Sequence, residues 1–183
     1  MKGLLTLKWY AIFVDSGKEE VVQKYLKLHF NEQSLKSLVP KRLVPEKKSG
    51  IVYNVLKNIF PGYVLIQTEM TNDMFHRIKK ALRSFRLVNN RSYYLQDEGV
   101  YYSSIDEKEI IPILQLIGNG EVVDYSKVYL ENSKVIVESG PLKGLEGIIK
   151  KVDKHKKRAK ISLTFMGVEK TIDVGIEILS KPL

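Results

Sequence analysis

The chain has 183 residues and no cysteine. Disulfides, thiolate metal sites and cysteine nucleophiles are therefore excluded, and the composition suits a reducing compartment. Histidine is scarce as well. His29, His76 and His155 fall in three separate segments, none beside carboxylates at a metal-ligand or catalytic spacing. Neither a phosphate-cradling Gly loop nor a nucleophile elbow is present, so no catalytic residue, cofactor or metal is expected. Long hydrophobic runs are also missing. The apolar patch within residues 1 to 8 is too short for a signal sequence, and no run approaches the roughly 20 apolar residues of a membrane span. A cytoplasmic monomer with no membrane partner is expected.

What the chain does contain is enough apolar residue to fold. The apolar fraction is 44% and charged residues make up 28%, with no low-complexity tract of the kind that cannot bury a core. The length accommodates one medium domain or two small ones. Net charge is +9, which favours a polyanionic partner. Residues 1–125 carry 18 basic and 14 acidic side chains, whereas residues 126–183 carry 12 and 7. The shorter segment has more than twice the density of excess positive charge and is the better nucleic-acid candidate.

Trp9-Tyr10-Ala11-Ile12-Phe13-Val14 reads as a strand ended by the turn residues Asp15-Ser16-Gly17. Ser16 and Glu19 have capping-box spacing, and Val21, Val22, Tyr25, Leu26 and Phe30 recur at helical intervals. Residues 40–50 read as an exposed loop or a basic hairpin. Phe60-Pro61-Gly62-Tyr63 sets a turn, after which Tyr63, Leu65 and Gln67 alternate with Val64 and Ile66. Thr71 is placed to cap a helix carrying Met74, Phe75, Ile78 and Leu82. Short strands are expected at 85–88 and 93–95. A third helix is expected near 110–117, led by Ser104 and Glu107 and kinked or delayed by Pro112. Gly118-Asn119-Gly120 and the polar residues to Asp124 suggest a linker at 118–125. Beyond it, β-type runs at 135–137, 147–149, 161–163, 168–172 and 176–179 suggest a small closed barrel.

The most specific motif is Lys134-Val135-Ile136-Val137-Glu138-Ser139-Gly140-Pro141-Leu142-Lys143-Gly144-Leu145-Glu146-Gly147-Ile148-Ile149, which resembles a KOW motif. Its glycines are expected where the backbone needs positive φ or close approach. Upstream, the Trp9-Tyr10 strand, the helix after Ser16-Gly17 and Phe60-Pro61-Gly62-Tyr63 resemble, in order and spacing, the N-terminal domain of the NusG family. The resemblance implies an α+β fold. An N-terminal NGN domain (1–117) would carry a four-stranded antiparallel sheet with flanking helices. A linker (118–125) would join it to a C-terminal KOW domain (126–183), an SH3-like five-stranded β-barrel.

The same resemblance implies a transcription elongation factor that binds the clamp helices of the largest RNA polymerase subunit, most like the LoaP-type processive antiterminators. Tyr63, Leu65 and Phe85 fall at the family's polymerase-binding positions. Lys18, Lys24, Arg77 and Arg83 are candidate phosphate contacts to non-template DNA, or simply solvated helix faces. A basic run at a hairpin tip, Lys150, Lys151, Lys154, His155, Lys156, Lys157, Arg158 and Lys160, is a candidate contact to nascent RNA, or a solvated tip that blocks edge pairing. Two alternatives stand beside this reading. One is a general factor whose KOW domain binds a ribosomal protein or a termination factor; the other is a ribosome-associated KOW RNA-binding protein.

Overall fold

The computed structural model describes residues 7–82, 95–96, 99–100, 104–131 and 134–180. The fold is mixed α+β and divides into two compact units: residues 1–39 with 60–106, and residues 40–59 with 107–183.

The first unit is built on a three-stranded antiparallel sheet in the order β1-β5-β2. These strands are β1 (Lys8–Phe13), β2 (Leu35–Leu38) and β5 (Tyr63–Thr68). Two helices, α1 (Glu19–His29) and α2 (Asn72–Ala81), accompany the sheet. Val22 and Leu26 from α1 with Phe30 just past its end, and Met74 and Ile78 from α2 with Leu82 just past its end, join Val64 and Ile66 in one apolar core. Helical spacing therefore selects the inward faces, although Val21 lies outside the buried stripe and is exposed. Thr71 caps α2 as expected, its hydroxyl accepting from Met74 N at 3.1 Å. A two-stranded ribbon, β6 (Leu95–Gln96) with β7 (Gly99–Val100), also belongs to this unit. The strand expected at 85–88 and most of that at 93–95 lie outside the described residues.

The capping box forms differently. Ser16 makes no cap to α1, whose N-cap is Lys18. Glu19 turns inward instead and is only 1% exposed. Its carboxylate accepts from Gly17 N at 2.7 Å and from Gly62 N at 2.6 Å, which satisfies two donors that two turns would otherwise bury unpaired. Gly62 has φ +85°, and a side chain there would approach Phe13 and Val14 O at 3.3 and 3.4 Å. The Phe-Pro-Gly-Tyr turn, closed by Tyr63 N to Phe60 O at 3.2 Å, thus requires its glycine.

The second unit contains two sheets. One, in the order β4-β3-β8, comprises β3 (Lys41–Lys48), β4 (Ile51–Asn58) and β8 (Val122–Val123). The basic hairpin suggested by residues 40–50 therefore runs on to Asn58, turning at Ser49-Gly50 with φ 50° and 83°. Val122 and Val123, expected within a linker, pair in parallel with Lys41 and Arg42. The other sheet has the order β10-β9-β13-β12-β11. Its strands are β9 (Ser126–Glu131), β10 (Lys134–Ser139), β11 (Ile149–Asp153), β12 (Arg158–Phe165) and β13 (Val168–Ile178). Two β-type runs expected in 168–179 are one continuous strand, and Glu146–Ile148 forms a short 3-10 turn where a strand was expected. Helix α3 (Glu107–Ile117) passes through Pro112. It is fastened by Glu109, whose carboxylate accepts from Met166 N at 3.0 Å and Gly167 N at 2.9 Å in the β12–β13 turn.

Gly140 has φ +96°, and a Cβ there would lie 2.7 Å from Ser126 Cα and Tyr125 O. Gly147, by contrast, has open space and no positive φ, so the expected backbone requirement does not hold for it. Gly140→Ala is expected to destabilise the protein by about 2 kcal/mol or more, and Gly147→Ala by less than about 0.5 kcal/mol. Thermal denaturation of the two variants checks both. A second expectation concerns Glu19. Gln offers one acceptor oxygen where two amides converge, so Glu19→Gln is expected to cost about 1–3 kcal/mol in a urea denaturation series.

Candidate functional site

Two surfaces carry the residues singled out by sequence. The first begins where β5 leaves the Phe-Pro-Gly-Tyr turn. Tyr63 is half-buried and meets Phe13 edge to face, with ring centroids 5.0 Å apart. Its antiparallel partner across β1 is Phe13, so backbone register produces that contact directly.

Leu65 departs from expectation. It falls at an expected polymerase-binding position but is 0% exposed. β5 is the central strand of its sheet and is paired along both edges. Val64, Leu65 and Ile66 are all buried, the pattern of a strand covered on both faces rather than one with a wet side. Leu65 therefore supports the sheet instead of presenting a contact. Phe85, the third member of the expected set, lies outside the described residues. Trp9 and Phe60 are buried in the core. Lys18, Lys24 and Arg77 are exposed on or beside their helices, with Arg77 also 5.3 Å from the Phe30 ring centroid.

The second surface is the β11–β12 hairpin. Lys150, Lys151, Lys154, His155, Lys156, Lys157 and Lys160 are exposed on its two strands and connecting turn. Strand alternation explains why they cost the core nothing: Ala159, Ile161, Leu163 and Phe165 face inward, and residues between them face out. The turn is held by Asp153, whose Oδ1 accepts from Lys156 N at 2.9 Å. That bond, aided by the charge of Lys156, holds the Asp153 carboxyl below its usual range.

Arg158 differs from the other cations of the run. Its side chain is 20% exposed. Nε donates to Pro45 O at 3.0 Å and Nη2 donates to the same carbonyl. Nη1 lies 3.6 Å from Asp173 Oδ2, and Nη2 lies 3.9 Å from Glu46 Oε1. Arg42 stands beside it, donating from Nη1 to Asp173 O. Burial pushes the Arg42 guanidinium below its ordinary range, opposed by Asp173, and its Nε is buried with no hydrogen-bond partner among the described residues. Two guanidiniums and two carboxylates thus join the β3–β4 hairpin to β12 and β13, and Tyr125 adds a hydroxyl bond to Asn54 Oδ1 at 2.7 Å. Sequence reading placed Arg158 with the nucleic-acid contacts because a charge run does not reveal which member has a carbonyl and two carboxylates around it.

Sequence reading also passed over β4. Ile51, Val52, Tyr53 and Leu56 are exposed there on a strand at the edge of its sheet. Their signal was an apolar run with no clean alternation, flanked by lysines. Among the described residues, no group of three or more His, Asp or Glu is placed to hold a metal ion. No described helix is long and apolar enough to cross a membrane.

The fold and surfaces define a mixed α+β protein with an aromatic strand entrance in one unit and a cationic β-hairpin in the other. Comparison with known proteins narrows this. The family model described as "Transcription termination factor nusG" matches residues 7–111, more than half of the chain, and the chain belongs to the NusG family. It is 26% identical over 183 residues to the transcription termination/antitermination protein NusG of Neisseria meningitidis serogroup B, covering 97% of this chain and 99% of that protein. It is 27% identical over 180 residues to the NusG of Buchnera aphidicola, covering 95% and 96%. Among solved structures it resembles Thermotoga maritima NusG, whose structure is described for its domain interaction. The TM-score is 0.53 and the identity 22%, with 94% of this chain and 96% of that chain covered; this likeness concerns the fold.

Arg158→Ala is expected to destabilise the second unit by about 1–3 kcal/mol, because it leaves a carbonyl and two carboxylates without their shared donor. Lys154→Ala, at an exposed turn position, is expected to stay within about 0.5 kcal/mol of wild type. Chemical denaturation of the pair distinguishes an anchoring cation from a solvated one.

Proposed function

We propose that this protein is a cytoplasmic, non-enzymatic transcription factor of the LoaP-type antiterminator class, which binds RNA polymerase through its N-terminal part and nascent RNA through its basic hairpin. On this reading residues 1–117 act as the NGN domain, 118–125 as the linker and 126–183 as a KOW domain of SH3-like barrel type. Tyr63 is the anchor for the clamp helices of the largest polymerase subunit. Its aromatic ring, half-buried beside Phe13, is pre-positioned and gives up little conformational freedom on binding. Leu65 holds the strand that presents it, and Phe85 belongs to the same proposed surface.

The observation that carries the RNA half is the concentration of exposed cations on one hairpin: six lysines and His155 between residues 150 and 160, with the opposite face of β12 closed by core. A row of this length exceeds what edge protection needs and suits a phosphate backbone. Non-template DNA is a further candidate partner for Lys18, Lys24 and Arg77.

A second reading is favoured by the names of the relatives, which are termination/antitermination proteins in general. In it the chain is a general NusG-type factor whose KOW domain meets a ribosomal protein or a termination factor. A ribosome-associated RNA-binding role without polymerase is the remaining alternative.

Terminator readthrough by purified RNA polymerase, on templates with long native leaders, tests the proposal. Wild-type protein is expected to raise readthrough and Tyr63→Ala to abolish the rise, since truncating a buried interface aromatic removes about 2 kcal/mol or more of binding. Neutralising Lys154, Lys156 and Lys157 together, with Arg158 left in place to preserve the fold, is expected to reduce readthrough only where the leader is transcribed. Polymerase binding with no leader dependence would support the general-factor reading; co-purification with ribosomal particles and not with polymerase would support the third.

A further inference from the structure

The cations of the basic hairpin are not equivalent. On the face of β11, β12 and β13 away from the core, Lys151 lies directly opposite Lys160, and Lys160 opposite Asp173. In the next row Asp153 lies opposite Arg158. These five side chains share one face because Ala159, Ile161 and Val174, between them in sequence or register, are buried on the other. Together with Lys156 from the turn they line a depression of about 270 Å³. Its four cations and two carboxylates leave a formal surplus of two positive charges.

Both carboxylates already have other partners. Asp173 faces Arg158 at 3.6 Å, and Asp153 accepts from the Lys156 amide at 2.9 Å. Lys151 and Lys160 therefore oppose each other across an antiparallel pair, and among the described residues neither takes part in a salt bridge. Like charges directly opposite one another destabilise a strand pair. Asp173, opposite Lys160 on its other side, offsets part of that repulsion but is shared with Arg158. An anion with several acceptor oxygens placed between the two ammonium groups would relieve the remainder. The depression has room for one phosphate group, and Arg158, which lines it while bound to Pro45 O and facing Asp173, keeps β12 in place.

We propose that Lys151 and Lys160, with Lys156 at the rim, form a subsite for a single backbone phosphate of an RNA strand. Arg158, its guanidinium engaged by Pro45 O and Asp173, is a positioning residue. Lys154, His155 and Lys157 attract the strand over longer range from the turn. The subsite rests on the RNA-binding reading above and adds to it which lysines share one phosphate.

The test uses the full-length protein and a fluorescein-labelled 15-nucleotide RNA of mixed sequence, with anisotropy titrations across a range of KCl concentrations. Because one phosphate is shared, Lys151→Gln and Lys160→Gln are each expected to produce most of the loss seen in the double variant. In the double variant the slope of log affinity against log salt should become shallower by roughly 0.7, the value for one phosphate contact on a single strand. The melting temperature of the double variant at low salt should equal or exceed that of wild type, because the repulsion is gone; this shows that lost binding is not lost folding. Wild-type affinity and slope in the double variant would overturn the subsite while leaving RNA binding intact. Losses that simply add between the single variants would overturn the shared phosphate. Failure of the wild-type protein to bind the RNA at all would overturn the RNA reading, and the subsite with it.

Discussion

The Glu19 carboxylate is the contact on which the first unit depends. It stands at the first turn of α1, where negative charge is favoured by the helix dipole. It reaches out of that helix to Gly17 N and Gly62 N. One side chain thereby ties the β1–α1 turn to the entrance of β5, two points 45 residues apart in sequence. The entrance of β5 is also where Tyr63 emerges, so the geometry of the proposed polymerase contact is set by a buried carboxylate that never touches a partner. A polar group so buried is tolerable because each of its oxygens accepts a hydrogen bond.

The second unit is joined in another way. The β3–β4 hairpin meets the rest of the unit through a set of polar groups: two arginines, Glu46, Asp173, the carbonyl of Pro45 and the Tyr125 hydroxyl. Ion pairs taken partly out of water add little net stability, since the desolvation cost offsets much of the attraction. Their geometry is nonetheless restrictive. A guanidinium that must meet a carbonyl on one side and a carboxylate on the other admits one placement of the hairpin, where a greasy contact would admit several. Arg42, with Nε buried and without a hydrogen-bond partner among the described residues, marks where this arrangement is least well satisfied.

How far these features could be read beforehand depended on the range of the interactions behind them. Thr71 capping α2, the inward stripe of Val22, Leu26 and Phe30, and the turn at Pro61-Gly62 all arise from neighbours within a few residues, and each was legible. The Ser16–Glu19 capping box failed because a donor 43 residues beyond Glu19 competed for its carboxylate. Leu65 was misplaced because alternation describes a sheet with one wet face, whereas β5 is covered on both. Gly140 and Gly147 look alike in the motif, yet only the first is crowded by backbone. The hairpin reaching to Asn58 was half-seen: lysines and Pro45 masked a regular two-strand register.

Residue chemistry and local periodicity alone determined the absence of thiol chemistry, the excess positive charge, its concentration in 150–160, the mixed α+β class and the resemblance to the NusG family. These are properties of composition and of contacts short enough to leave a pattern along the chain. Tertiary structure decided which members of each pattern are available. It turned Arg158 from an RNA candidate into an anchor, buried Leu65 and set Lys151 against Lys160. The reason is that exposure and pairing depend on strands brought together from distant parts of the chain, and a run of like residues carries no record of which of them will find a partner there.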